Sequence, residues 1–450
     1  MLLKKYLLTC NEVYHTTLDP RTPGVCRIHL VPPKKLKPNI PWVCIINGYS
    51  IIPLNSAWGV LLKEFIGVIN EYDNKEALSD EDIKLIADKT VKKMKSIFPT
   101  ANKEYFLEDL KDMIKTFKNL AIGKAPDAKI GYMSLSKYGK YMSAPHRMDL
   151  MVSAMEKNGC WNCNQKCLHC YAANELMSSK KELSLEEWKI IIDKCKSAMI
   201  PSLTFTGGEA TIRSDLVEMI AYSKWFVTRL NTNGILLSKD LCKRLKEASL
   251  DSVQVTLYSD NKKIHNLLVG GDHFDQTIQG IKNAIEAGLD VSINTPLCSL
   301  NNDYAKTVAF GHSLGIHYFS SSGLIPTGNA KNSNSKITKL SKEEITSILK
   351  EAYNYALNNV CELSFTSPGW IDEKDLKEMR IVVPSCGACL SNMAIAPNGE
   401  VIPCQSWLNG KSFGNLLSSD WKDIWENKEC KKVRELSIKS KEVCLLKEEK

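Results

Sequence analysis

Two groups of cysteines stand out among the sixteen in this 450-residue chain. Cys163, Cys167 and Cys170 are spaced C-x3-C-x2-C, with Cys160 just upstream. Cys386, Cys389 and Cys404 come much later as C-x2-C-x14-C, with Cys430 and Cys444 beyond them. In a reducing cytoplasm such clusters are metal ligands or redox groups rather than disulfides. Three thiolates leave one iron of a [4Fe–4S] cubane without a protein ligand. That iron can bind a substrate or cofactor, whereas electron-transfer clusters are closed by four thiolates. With Cys160 included, the first group also reads CxxC-x3-CxxC, which could hold zinc. Structural zinc sites, however, separate their two pairs by about a dozen residues or more, so Cys160 is read as a spare thiol. For the second group zinc stays open. Cys10, Cys26, Cys44, Cys195, Cys242, Cys298 and Cys361 are isolated and read as small buried hydrophobes.

The elements that must position these residues follow from periodicity. From about residue 146, β-rich runs alternate with helical stretches. The expected strands are Met148–Val152, Ser202–Thr206, Phe226–Thr232, Ser252–Leu257, Asp290–Asn294 and His317–Ser320. Ser184 with Glu187 three residues on is a capping box, opening a helix that presents Trp188, Ile191, Ile192 and Cys195. A second helix carries Phe274, Ile278, Ile281 and Ile285. Six strands separated by helices predict an α/β fold with a parallel sheet and right-handed crossovers, either a partial barrel or a doubly wound sheet. Polar residues sit where those strands end: Gly207-Gly208-Glu209, Asn231 and Asn233, Gln254, Thr256 and Tyr258, then Asn294. Barrel enzymes build their sites at such C-terminal strand ends.

Before the barrel, Val43–Ile46 and Tyr49–Ile52 flank Asn47-Gly48, a hairpin signal. Helices are expected from Asn55 (Trp58, Leu61, Leu62, Phe65, Ile66, Ile69), from Ser79 (Ile83, Ile86, Val91, Met94) and over Tyr105–Leu120. This hairpin-then-helices order is winged-helix-like. After the barrel come an Asn/Ser/Lys-rich loop (329–339), a helix near 341–358, and MAIAPNGEVIPC, a hairpin turning at Asn398-Gly399 that would fold Cys404 back toward Cys386 and Cys389.

The segment CNQKCLHCYA resembles the CxxxCxxC signature of the radical S-adenosylmethionine (SAM) enzymes. That resemblance covers about residues 146–325. It implies that Cys163, Cys167 and Cys170 hold a [4Fe–4S] cluster whose fourth iron chelates SAM, and that SAM is split to a 5′-deoxyadenosyl radical that abstracts a substrate hydrogen. His169 is carried over as a packing residue beside the cluster, or else as a surface histidine. Thr206-Gly207-Gly208-Glu209 is similar to the family's GGE motif. It implies close backbone approach at Gly207 and Gly208 and a Glu209 carboxylate that accepts from the SAM ammonium group. Asn231 and Asn233 resemble the polar strand end near SAM, and Thr256 and Asn294 would contact its ribose or carboxylate.

The stretch from Cys389 through Gly399 to Cys404 resembles the start of a SPASM/twitch extension, as do Phe413-Gly-Asn-Leu and Trp421–Trp425. This implies a second, auxiliary [4Fe–4S] cluster on Cys386, Cys389 and Cys404, with Cys444, Cys430 or no cysteine as fourth ligand. Cys430 lies in a lysine-rich helical stretch and is the less favoured. A full SPASM domain has more cysteines than follow Cys404 here, so one auxiliary cluster is expected rather than two.

Taken together, the expected architecture is a partial (β/α)6 radical SAM barrel with an N-terminal winged-helix-like peptide-binding domain and a C-terminal twitch or truncated SPASM domain. The divisions are 1–120 for leader-peptide recognition, a 121–145 linker, the 146–325 barrel, a 326–380 helical connection and a 381–450 auxiliary-cluster domain. The combination is similar to the maturases of sactipeptides and related ribosomal peptides, and implies a precursor-peptide substrate and thioether formation from a cysteine sulfur to carbon. Carbon–carbon crosslinking and epimerisation use the same parts. For epimerisation, Cys298 is a candidate hydrogen donor. A radical SAM enzyme acting on a folded protein or small molecule is the other enzymatic class. An iron–sulfur carrier is disfavoured by the open iron. A flavodoxin- or ferredoxin-type electron donor is expected.

Composition supports a cytoplasmic globular chain: 44% hydrophobic and 24% charged residues are ordinary values. No apolar run approaches the roughly 18 residues of a membrane helix, and the start lacks a signal-peptide pattern. The net charge of +8 comes from scattered lysines, so neither nucleic acid nor membrane is an expected partner.

Overall fold

The computed structural model describes residues 2–18, 26–33, 41–47, 50–75, 77–121, 139, 142–331, 338–440 and 443–448. These divide into two compact units, Met1–Ser143 and Ala144–Lys450. Most of the expected linker lies outside the described residues.

The first unit opens with helix α1 (Leu2–Leu7), followed by strands β1 (Tyr14–Leu18), β2 (Cys26–Val31), β3 (Trp42–Ile46) and β4 (Ser50–Leu54). The strands pair in sequence order as an antiparallel meander, so the expected hairpin is half of a larger sheet. Neither α1 nor the first two strands is among the predicted elements. Gly48 and Tyr49 of the hairpin lie outside the described residues, but Asn47 has φ 51°, the left-handed geometry such a turn requires. Helices α2 (Ser56–Ile69), α3 (Asp80–Ile97) and α4 (Lys103–Ala121) follow. Asn55 caps α2 through Trp58 N, and Ser79 with Asp82 forms a capping box on α3. Helix α2 reaches the sheet at Gly59, where an added Cβ would sit 2.2 Å from the Trp42 ring. Trp42 is fully buried. Ile83, expected on the buried face of α3, is 54% exposed, while Ile86 and Met94 carry that contact.

The second unit contains every one of the six predicted strands, in order and parallel: β5 (Arg147–Ser153), β8 (Ser202–Gly207), β9 (Val227–Thr232), β10 (Ser252–Thr256), β11 (Asp290–Pro296) and β12 (Tyr318–Ser322). A short ladder, β6 (Glu156–Lys157) with β7 (Cys160–Trp161), precedes the first cysteine loop. Crossover helices are α5 (Leu185–Ser197), α6 (Leu216–Tyr222), α7 (Lys239–Glu247), α8 (Lys262–Val269), α9 (Phe274–Glu286) and α10 (Tyr304–Ser313). Among the described residues the sheet holds nine strands, more than expected. At one edge, α11 (Lys342–Asn359) returns the chain to β13 (Glu362–Phe365), parallel to β12. At the other, after α12 (Glu373–Glu378), the predicted hairpin appears as β14 (Asn392–Ile395) and β15 (Val401–Ile402), with β14 parallel to β5. The second cysteine segment therefore continues the barrel sheet, because an edge strand offers unpaired backbone groups that a neighbour can satisfy. Helices α13 (Trp421–Glu426), α14 (Lys428–Lys439) and α15 (Leu445–Glu448) close the unit.

Alternation explains both faces of the sheet. Leu203, Phe205, Leu230, Val253, Val255 and Ile293 are buried, as are Trp188, Ile191, Ile192 and Cys195 on the expected face of α5. The alternate residues, Thr204, Thr206, Asn231, Gln254, Thr256 and Asn294, line a cavity on the inner face. Among the described residues no helix is long and apolar enough to cross a membrane.

Candidate functional site

The loop after β7 carries the first cysteine group and is held from several sides. Lys166 N and Leu168 N donate to the carbonyls of Val269 and Leu268 at the end of α8. Asn329 donates from its backbone to Cys170 O and from its side chain to Cys167 O. Trp161 Nε1 donates to Gln165 O, and Asn233 Nδ2 to Asn164 Oδ1 at 2.6 Å. Cys163, Cys167 and Cys170 all face the inner cavity, of about 430 Å³. Cys160 is exposed and outside that wall, consistent with a spare thiol.

Burial raises all three thiols, Cys163 to about 12 and Cys167 and Cys170 in the same direction. As free thiols they are neutral at physiological pH, so a cationic partner is needed to hold them as thiolates. Tyr258 lies within electrostatic range of Cys167, a proximity the motif alone does not reveal. His169 is buried, with Nε2 2.7 Å from Thr338 Oγ1, which settles it as a packing residue.

The GGE turn is built against β5. Gly207 has φ 136°, and a Cβ there would lie 2.2 Å from Ser153 O, so only glycine fits. Ser153 also accepts from Gly208 N at its carbonyl and from Glu209 N at its hydroxyl. Arg213 fixes the turn from behind, bidentate to Asp215 (2.8 and 2.7 Å) and donating to the carbonyls of Val152 and Leu183. Glu209 itself is buried. Its Oε1 accepts from Thr211 N, Thr211 Oγ1 and Thr232 Oγ1, and its Oε2 from Asn233 N at 2.8 Å. Oε2 keeps acceptor capacity for a further donor.

Asn231 faces the cavity with a buried Oδ1 that has no hydrogen-bond partner. Such an orphan costs about 1–3 kcal/mol unless a ligand pairs with it. Asn233 lines the cavity, but both ends of its amide are used: Oδ1 accepts from Ile235 N and Nδ2 holds Asn164. Thr256 and Asn294 line the wall, with Asn294 Oδ1 accepting from Ser320. Cys298 is different. It is fully buried among Tyr258, Leu268, Val269 and Leu324 and is not among the residues lining the cavity.

The second group closes the same cavity from the other side. Cys386, Cys404 and Cys444 line it together with the first three cysteines. Cys404 is within electrostatic range of Cys444 and Cys386, and burial raises it. Tyr171, half-buried after Cys170, is pushed up by desolvation and by the nearby Cys170 and Cys404 thiols. Cys430, the less favoured candidate for the fourth ligand, is buried on α14 and interacts electrostatically with Cys389. Burial raises Cys389, while the interaction with Cys389 and the Arg434 guanidinium (3.7 Å) lower Cys430. Five thiols thus converge where four would complete a cubane.

These residues fit iron–sulfur clusters and SAM. The donors are soft thiols, the buried Asn231 oxygen lacks a partner, and Glu209 can still accept. Among the described residues, neither cysteine group is gathered closely enough to count as a single-ion site, as expected where the ligands surround a larger cluster.

Comparison with known proteins agrees. Residues 162–310 match the radical SAM superfamily, and residues 386–446 match the SPASM iron–sulfur cluster-binding domain. The Fe-coproporphyrin III synthase of Methanosarcina barkeri is 37% identical over 139 residues, 30% of this chain and 35% of that protein. A probable GTP 3′,8-cyclase of Saccharolobus islandicus is 34% identical over 174 residues, 38% of this chain and 56% of that protein. The chain thus spans between about a third and a little over half of these relatives. In fold it is similar to Streptococcus suis SuiB bound to precursor peptide SuiA (TM-score 0.59, 16% identity, 91% of this chain and 93% of that one). It is also similar to anSMEcpe with bound AdoMet (TM-score 0.52, 17% identity, 65% and 83%). The cofactors are therefore SAM, the [4Fe–4S] cluster that binds it, and auxiliary iron–sulfur in the SPASM domain. The chain thus contains a radical SAM domain over residues 162–310 and a SPASM iron–sulfur cluster-binding domain over residues 386–446.

Proposed function

We propose that this enzyme modifies a ribosomally made precursor peptide in the cytoplasm, joining a cysteine sulfur to a carbon of another residue. The carrying observation is the extent of the likeness to SuiB. It covers 91% of this chain and so includes the N-terminal unit, whereas the curated cyclase, Fe-coproporphyrin III synthase and heme synthase relatives match 38%, 30% and 60% of it. An antiparallel meander whose outer strands β1 and β4 each have one strand neighbour among the described residues suits a peptide that adds as a further strand.

Bound SAM and its cluster supply a hydrogen-abstracting radical. Cys163, Cys167 and Cys170 would hold that cluster, while Glu209 Oε2 and Asn231 Oδ1 would receive the SAM ammonium and polar groups. Asn233 and Thr232 would keep Glu209 oriented, and Thr256 and Asn294 would border the ribose end. Cys386, Cys389 and Cys404, with Cys444 or Cys430, would hold the auxiliary cluster. Thioether formation removes two hydrogens from the peptide, one as an atom and one as a proton with an electron. An electron acceptor facing the same cavity is therefore needed, and the second cysteine group is placed to provide one. A flavodoxin- or ferredoxin-type donor would reduce the SAM-binding cluster.

The test is co-expression with a short, cysteine-containing open reading frame encoded beside the gene, followed by mass spectrometry. Loss of two hydrogens per bond, with one fewer alkylatable thiol, is expected. Unchanged mass with an inverted residue would identify an epimerase, and loss of two hydrogens with every thiol retained would identify carbon–carbon crosslinking. An unmodified peptide would leave the small-molecule reading, which the curated relatives favour.

A further inference from the structure

At the opposite ends of the barrel strands from the cavity, a third set of soft ligands converges. His312 lies in the last turn of α10, His317 directly precedes β12, and Cys361 directly precedes β13. One ligand atom from each lies within 4.8 Å of the other two. This is the sole set of three or more His, Cys, Asp or Glu side chains among the described residues that is gathered for a single ion. The sheet itself brings two of them together, since Glu362 N donates to His317 O at 2.7 Å and sets Cys361 beside His317. The two imidazoles meet edge to face, with centroids 5.3 Å apart. Tyr355 on α11 places its hydroxyl 3.2 Å from His312 Nδ1.

The donor set decides the metal. Two imidazoles and a thiolate are borderline-soft ligands, which suit zinc and do not suit calcium or magnesium, which take oxygen donors. Zinc–nitrogen and zinc–sulfur bonds of about 2.0 and 2.3 Å place tetrahedral ligands roughly 3.5 Å apart. The present spacing therefore needs only a small inward rotation of the side chains. Ligation through His312 Nε2 leaves Nδ1–H to donate to Tyr355, the outer-shell hydrogen bond that orients most metal-bound histidines. His317 is exposed and the other two are half-buried, so water can take the fourth position.

We propose that His312, His317 and Cys361 form a mononuclear zinc site that clamps edge strand β13 to the end of α10. Among the described residues strand β13 pairs with β12 alone, and the clamp would add a second tie to this edge. Binding replaces the Cys361 S–H bond with a zinc–sulfur bond and releases the proton to solvent. No redox partner is needed.

The experiment uses the full chain with its iron–sulfur clusters reconstituted, incubated with zinc and desalted. Wild type should retain one zinc more than the His317→Ala/Cys361→Ser double variant, at equal iron content. Zinc-edge X-ray absorption should show two imidazole nitrogens, one sulfur and one light ligand. Tyr355→Phe should weaken zinc affinity about tenfold while leaving iron unchanged. Equal zinc in wild type and double variant would overturn the site. So would an all-sulfur zinc environment, which would place the metal in the cysteine group of the SPASM domain.

Discussion

The two cysteine groups facing the cavity are assembled in opposite ways. Cys163, Cys167 and Cys170 occupy one loop, and that loop is pinned to α8, to Asn329 and to Asn233. Cys386, Cys389, Cys404, Cys430 and Cys444 come from a turn, a hairpin end, a helix and a terminal segment. Their convergence requires β14 to pair with β5 and α14 to pack behind the hairpin. Geometry in the first group is local and depends on a few hydrogen bonds. In the second it is tertiary, and it inherits the stability of the whole unit. The first should therefore tolerate distant perturbation and fail with any one ligand. In the second, Cys430 and Cys444 are alternatives for one position, whereas Cys386, Cys389 and Cys404 have no substitute.

Removing a ligand from the first group is the strongest way to break this contrast. Cys167→Ala should abolish 5′-deoxyadenosine formation, a loss of at least about a thousandfold, since an open cubane with two thiolates has no secure hold. Reconstituted iron should fall from about eight to about four per chain. Retention of eight would mean that Cys160 substitutes, and that the loop is less rigid than its hydrogen bonds imply.

In the second group, Cys389→Ala should remove about four irons while SAM cleavage persists. Cys430→Ser and Cys444→Ser separate the two candidates for the remaining ligand. The one that ligates should lose auxiliary iron, and the spare should keep it. If both variants lose it equally, neither thiol is spare and the contrast in tolerance disappears.

Glu209→Gln tests the first site without touching a cysteine. A carboxylate accepting from an ammonium contributes about 1.5–3 kcal/mol, so the dissociation constant for SAM should rise about tenfold to a hundredfold. Cluster content should not change. An unaltered affinity would mean that the four hydrogen bonds from Thr211, Thr232 and Asn233 are the whole role of Glu209.

Sequence reasoning reached the parts of the molecule where function and periodicity are local. All six predicted strands exist because alternation of Leu203, Phe205, Val253 and Val255 with polar residues marks one covered face and one cavity face. The GGE turn was readable, but Ser153, which holds it, sits on another strand and shares no motif with it. Cys430 was discounted because the lysines around it resemble a solvated helix. Its burial comes from the one face of α14 that meets Cys389, with Arg434 stacked 3.8 Å from the Trp425 ring. Cys298, singled out for its position after β11, is buried away from the cavity, which position along the chain alone does not show. Strands β1 and β2 were missed, since short antiparallel strands carry little periodic signal and depend on their neighbours.

The smallest expected effect concerns the seam between the two assemblies. Lys194 on α5 donates to the carbonyls of Leu417 and Ser419, at 3.1 and 3.0 Å, tying a barrel helix to the segment before α13. Leu183 N makes a second tie, to Pro397 O at the hairpin turn. If the second group depends on tertiary support, Lys194→Met should loosen residues 415–420 by about 1 kcal/mol. Hydrogen exchange would show this as roughly fivefold faster opening of that segment. Protection of the first cysteine loop should stay the same, because none of its hydrogen bonds passes through α5. Faster exchange in both regions would mean that the cavity responds as one body, and that the local character of the first group is only a property of its sequence.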